Sequence, residues 1–243
     1  MRLSPGRVKA HARGLWPGAH SVSGYARHMP FVPSSLHVVH ADSSLIAIDK
    51  PEGLLAVPGR GEGGLVNLTA RVQAVFADAL IVHRLDMATS GLMLFARGAA
   101  VQRQLSIAFA ERQVHKRYIA VVHGELAAEE GVIDLPLLAD WPNRPRQVVD
   151  LHNGKKALTR WRVLARGECG PEGARTRLAL EPVTGRSHQL RVHLQSIGHA
   201  ICGDTLYAAE PQHSRRLLLH ACHLALAHPA DGTPLQLDCP APF

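Results

Sequence analysis

The stretch His83-Arg84-Leu85-Asp86-Met87-Ala88-Thr89-Ser90-Gly91 gathers a carboxylate, two basic groups and two hydroxyls between apolar runs. Thr89, Ser90 and Gly91 favour a tight turn held by side-chain-to-backbone hydrogen bonds. Such a turn would present Asp86 at the rim of a sheet, where a carboxylate can act as a covalent nucleophile. The residues alone equally allow Asp86 to cap a turn and pair with Arg84. Two further segments mix charge with potential chemistry, Lys116-Arg117-Tyr118 and Gly185-Arg186-Ser187-His188-Gln189-Leu190-Arg191-Val192-His193. Read without context, Tyr118 is a half-buried strand tyrosine.

Elements must hold these segments. Leu36 to Asp49 reads as two short strands around Ala41-Asp42-Ser43, and the Gly/Pro-marked segment from Lys50 to Arg60 reads as a loop. Leu65, Leu68, Val72, Val75 and Phe76 recur at helical spacing, and Val101 to Val114 sketches a second helix. Ser187 to Ile197 fits a third, closed by Gly198. Strands are expected at Leu92–Arg97, Tyr118–Val122, Arg160–Leu164, Arg177–Pro182, Leu217–Leu226 and Leu235–Leu237. Several follow one another with no helix between them, which favours α+β with a mostly antiparallel sheet over a doubly wound parallel one.

The bulk composition excludes several classes. The 243 residues are 46% hydrophobic and 19% charged, ordinary for a globular protein. No apolar run approaches the roughly 18 residues of a membrane span, and the basic start lacks the apolar core of a secretory signal, so a cytoplasmic protein without a membrane partner is expected. Four scattered cysteines, Cys169, Cys202, Cys222 and Cys239, suggest neither a disulfide framework nor structural zinc. His220, His223 and His228 lie in an apolar run without an evident carboxylate or Cys set, so no metal is expected. There is no GxxxxGK[ST] phosphate loop and no GxSxG elbow. Net charge is +7, but residues 1–28 carry five basic residues and no acid, leaving +2 for the rest. Residues 1–35 read as an irregular basic extension, within which Met29 opens a shorter reading frame, and residues 36–243 as one catalytic domain. Whole-chain charge therefore argues weakly for nucleic acid, and local clusters must carry that argument. Candidates are Arg112, Lys116, Arg117, Arg144, Arg146, Lys155, Lys156, Arg215 and Arg216.

The stretch at 83–91 resembles the HRLDxxTSG signature of the RluA family of pseudouridine synthases. Lys50-Pro51 with Gly53 resembles that family's first motif, Lys116-Arg117-Tyr118 its KxY element, and Gly185 to His193 its GRxHQ[IL]RxH motif, in family order. GHAICGD, ending at Asp204, fits the next shared segment. The resemblance implies an α+β pseudouridine synthase fold: a large mixed, mostly antiparallel sheet flanked by helices and loops, with a central catalytic cleft. It implies an isomerase without cofactor or metal. Asp86 would be the nucleophile and Arg191 its paired guanidinium. Tyr118 would stack on the uracil and serve as a late base, a role that needs a perturbed phenol. Arg84 would enter the space left by the flipped base, with Leu190, Arg186 and His83 as further substrate-side residues, His83 supporting the loop. DLPLLADWPNRPRQ at 134–147 is similar to the dual-specificity branch, which lacks a leading S4-like domain. That branch acts on a tRNA anticodon stem-loop and a 23S rRNA hairpin, and no obligate protein partner is implied. Two other readings stay open: a relative acting at another rRNA site, and a non-catalytic RNA-binding factor that kept the fold.

Overall fold

The computed structural model describes residues 36–59, 66–167, 173–208 and 216–243. The expected basic extension, Cys169 and Arg215 lie outside the described residues.

Asp42 makes the first turn. Its carboxylate accepts from the amides of Ser44 at 2.6 Å and Leu45 at 2.9 Å, folding β1 (Val38–Ala41) back on β2 (Leu45–Lys50). Helix α1 (Leu68–Val75) starts where the Asn67 side chain caps the amide of Ala70. Strand β3 (Ala79–Ile81) leads into the Asp86 loop, β4 (Ser90–Arg97) leaves it, and α2 (Ala99–Ala110) ends just before Arg112, whose φ is +63°. The chain continues through β5 (His115–His123), β6 (Glu130–Asp134), β7 (Leu137–Ala139), β8 (Gln147–Val149), β9 (Leu158–Arg166) and β10 (Arg175–Pro182). Helix α3 (Gln189–Ser196), β11 (Leu219–Ala227) and β12 (Pro234–Asp238) complete it.

Ten strands form one sheet. Eight run in the order β1-β2-β4-β11-β5-β10-β9-β6, with β3 paired to β4 and β12 to β11; β7 and β8 pair separately. All these pairings are antiparallel except β4 with β11, a short parallel seam matching His220 to Ser90 and Ala221 to Gly91. The seam joins two halves of the sheet. In the first half, period-two alternation sends Leu45, Ala47, Leu92 and Leu94 toward Leu105 of α2. It sends Ile46, Ile48, Met93 and Phe95 toward Leu68 and Val72 of α1. Both faces being covered explains why β4 is an unbroken apolar run. In the second half, Ala120, Val122, Leu178 and Leu180 pack on Leu190 and Leu194 of α3.

The α+β expectation holds, with a predominantly antiparallel sheet. Three short strands, β6, β7 and β8, are not visible in the sequence pattern. Val132 of β6 is 60% exposed and Val148 of β8 37%, so neither strand carries a clean buried alternation.

Candidate active site

The Asp86 loop is bolted down on both sides of the carboxylate. Leu85 is buried in the α1-side core, and the Asp86 carbonyl accepts from the Thr89 amide at 3.1 Å to close the turn. Lys50 is fully buried beneath the loop. Its Nζ donates to the carbonyls of Pro51 and Leu54, each at 2.8 Å, and of Met87 at 3.0 Å. One ammonium thus ties the KPEG loop to the residue that follows Asp86. Burial pushes Lys50 down to about 8, against the nearby Asp86, Glu52 and Asp49 carboxylates, which favour its charge. On the exit side, Gly91 has φ +109°, and a Cβ there would collide with the backbone of Ala221 across the seam, so the position requires glycine. Ser90 accepts from Arg216 at 2.6 Å and is bonded to Nδ1 of His220 at 2.9 Å.

The segment at 185–193 is held more densely. Gln189 accepts from the Thr184 hydroxyl at 2.7 Å and the Arg186 amide at 3.0 Å. Its amide nitrogen donates to the Leu158 carbonyl and to Thr159 Oγ1, both at 3.0 Å. His193, with no exposed surface, bridges Thr159 at 2.9 Å and the Leu135 carbonyl at 2.9 Å. Tyr207 Oη accepts from the Gln147 amide at 2.8 Å and is hydrogen-bonded to Nδ1 of His188 at 2.7 Å. Burial lowers the His188 pKa despite the neighbouring Asp86. Arg191 donates from Nε and Nη2 to the two oxygens of Asp204, each at 2.7 Å, a fully desolvated two-point pair. Burial disfavours its charge, but Asp204, with Asp86 behind it, outweighs burial and raises its pKa.

These pieces enclose a cavity of about 100 Å³ walled by Arg84, Asp86, Thr89, Tyr118, His188 and Leu190, with Lys116 and Arg186 at its margin. Among the described residues the Asp86 carboxylate has no hydrogen bond and no ion pair. Thr89 Oγ1 is buried and likewise without a partner.

Five of the expected site residues, Asp86, Tyr118, Arg84, Leu190 and Arg186, therefore share one cavity. The other two stand apart. Arg191 does not line the cavity, and its expected direct pair with Asp86 is replaced by the bond to Asp204, so it reaches Asp86 through its field. His83 lines a neighbouring groove, stacks on Phe109 at 4.4 Å and accepts the Leu94 amide at 2.8 Å through Nε2. Burial pushes His83 down to about 3, so it is a neutral strut. Tyr118 is perturbed opposite to what a base needs: burial, then Asp86, then Cys222 raise its pKa. Thr89, Lys50 and Asp204 entered the sequence reading only as parts of a turn or motif, without a role at the site, and Tyr207 was not named at all.

Two of the three histidines read as lacking a carboxylate partner have one. His223 meets Asp238 at 2.7 Å and His228 meets Asp42 at 3.1 Å. Asp49, His220 and Cys239 bring ligand-type atoms within 4.8 Å of one another. Both ring nitrogens of His220 are already engaged, however, by Ser90 and by the Cys239 carbonyl at 3.0 Å, which argues against metal ligation there.

The architecture is that of the pseudouridine synthases. It superposes on human RNA pseudouridylate synthase domain containing 1 with a TM-score of 0.75 and 25% identity, over 88% of this chain and 86% of that one. It superposes on the human domain containing 4 protein with 0.68 and 26%, over 85% and 88%. The RNA pseudouridylate synthase family profile matches residues 44–196, and the chain belongs to that family of RNA-modifying isomerases. Among its relatives, the dual-specificity RNA pseudouridine synthase RluA of Yersinia pestis is 47% identical, over 85% of this chain and 99% of that protein. The same-named enzyme of Escherichia coli K12 is 43% identical, over 86% and 94%. No helix among the described residues is long and apolar enough to cross a membrane.

Proposed function

We propose that this chain is a dual-specificity enzyme. It isomerises one uridine in a tRNA anticodon stem-loop and one in a 23S rRNA hairpin, in the cytoplasm and without a cofactor, with Asp86 as nucleophile. The observation that carries the reading is the unengaged Asp86 carboxylate in a small cavity beside Tyr118 and Leu190. A carboxylate meant for structure is hydrogen-bonded, as Asp204 is; Asp86 keeps its lone pairs for a substrate.

The reaction breaks the N1–C1′ bond, turns the uracil and joins C1′ to C5. N1 gains a proton and C5 loses one. Attack by Asp86 at C1′ or at C6 both require the ionised carboxylate. Lys50 and Arg191 both supply positive field to Asp86 while their shown hydrogen bonds go to other groups. They stabilise the anion without capping the attacking oxygen. Tyr118 offers a face on which the free uracil can turn, with base–aromatic stacking worth about 1–3 kcal/mol. As a base it has to await bond formation, which removes the Asp86 charge that helps hold its proton. Arg84, exposed at the cavity mouth, suits the space a flipped base leaves, and loop targets keep the cost of flipping to a few kcal/mol.

The test is single-turnover assay of Asp86→Asn on both hairpins. RNA binding should persist with no pseudouridine formed; ordinary turnover would reject the assignment. Pseudouridine in only one of the two RNAs with the native enzyme would reject dual specificity.

A further inference from the structure

We infer that a basic trough leading from the Asp86 cavity over the ends of β5, β10 and β9 onto the open sheet face binds the phosphates of an RNA strand flanking the target loop. This rests on the functional reading above and extends it from the base pocket to the path of the RNA.

The trough is continuous because neighbouring hollows share walls. Arg84, Lys116 and Arg186 border both the Asp86 cavity and a groove of about 400 Å³. Arg112 and Lys116 pass from that groove into another of about 430 Å³. Arg117, Arg160 and Glu181 pass from there into a hollow of about 550 Å³ that also holds Arg162. Register makes this last hollow a flat face. Arg162 stands opposite Ala179 on β10 and Glu130 on β6, and Arg160 opposite Glu181 and Val132. The α3-side core covers the opposite face.

Charge selects the occupant. Arg84, Arg112, Lys116, Arg160, Arg162 and Arg186 form no ion pair among the described residues, and Arg117 meets Glu181 only at 4.0 Å. Arg97 on Asp78 at 2.9 Å and Arg166 on Glu129 at 2.7 Å are neutralised, whereas Arg103, Arg144 and Arg146 are exposed without an ion pair among the described residues, so what marks the trough is its shared walls and not the lack of pairing alone. Within the trough, Lys116 is partly buried with Arg112 pressing on it, and both effects lower its pKa. A line of seven cations, with only Glu130 and Glu181 among them, opening into a base-sized cavity fits a polyanion whose backbone threads past it. Solvated surface arginines would be scattered and would not share walls with the reactive cavity.

The experiment uses the full chain, a minimal target hairpin, and the same hairpin carrying single-stranded flanks. Variants are Arg160→Glu with Arg162→Glu, and Arg160→Gln with Arg162→Gln as the milder pair should charge reversal disturb folding. The native protein should bind the flanked RNA more tightly than the minimal hairpin. The charge-reversed pair should lose about tenfold affinity for the flanked RNA, as expected for lost charged hydrogen bonds. Its log–log salt slope should fall by roughly 1.4, about 0.7 per lost single-strand phosphate contact. Turnover of the minimal hairpin should stay within about twofold. Equal affinity of native and variant proteins for the flanked RNA would overturn the inference, as would no gain from the flanks in the native protein. So would a poly-glutamate peptide that distinguishes native from variant when the flanked RNA does not. If neither RNA were isomerised but the flank effect appeared, the functional reading would fail while the trough stood.

Discussion

Two segments face each other across the cavity and are built on opposite principles. In the segment at 185–193, Gln189, Arg191 and His193 are buried with their polar side chains hydrogen-bonded, and His188 is held by Tyr207. In the loop at 84–89, the backbone is anchored through Leu85, Lys50 and the Thr89 amide, yet Asp86 and Thr89 present unengaged oxygens. Leaving a buried hydroxyl unpaired costs stability, which a protein tolerates where the group meets a substrate. The satisfied wall gives rigidity and the unsatisfied wall gives reactivity.

Substitutions can separate the two. Asp86→Asn should cut the single-turnover rate by roughly 10⁴-fold or more, as removal of a nucleophile does, with urea unfolding almost unchanged. A large stability loss there would mean that Asp86 belongs to the framework after all. Asp204→Asn should do the reverse: it strands the buried Arg191 charge and should cost about 3–5 kcal/mol in unfolding free energy. An unfolding curve matching the native one would show that the Arg191–Asp204 pair is not what stiffens this wall. Thr89→Val keeps the shape and removes an unpaired hydroxyl, so stability should hold or rise slightly while kcat/KM falls about tenfold. Unchanged kinetics would make Thr89 a bystander.

The smallest effect concerns Lys50. Its folded pKa of about 8 lies below the ordinary lysine value of 10.5, so the folded state sheds this proton first as pH rises. Between those two values the unfolded chain binds more protons, and this group's contribution to stability grows with pH. The latch weakens over the same window, because a neutral amine has two hydrogens for three carbonyls. The rate should therefore decline a few-fold as pH rises through about 8. Lys50→Met should be slower at every pH and should lack that limb. A native profile flat to pH 9, with the RNA fold controlled, would remove Lys50 from the positioning set.

The sequence made the reactive residues legible because they are local: HRLDMATSG places an acid, bases and hydroxyls on one turn. It also revealed β4 and α3, whose burial leaves strong apolar patterns and, for α3, the Gly198 stop. What stayed hidden is relational. The partner of Arg191 is Asp204, on a separate turn, and Lys50 reaches a carbonyl 37 positions away. Neither pairing follows from periodicity. His223 and His228 looked unpaired because their carboxylates come from β12 and from the turn after β1. Strands β6 to β8 were missed because short, half-exposed strands carry little hydrophobic contrast.

The place of β11 has a consequence for biosynthesis. Strand β4, which leaves the Asp86 loop, and strand β5, which carries Tyr118, do not pair with each other; β11, made much later, lies between them. On the ribosome, the earlier strands can assemble as two separate sheets, each with a raw edge open to mispairing until residues 219–227 emerge. The two walls of the cavity meet only at that moment. A nascent or prematurely terminated chain thus lacks an assembled catalytic centre, and the insertion of one late strand both seals the edges and switches the enzyme on.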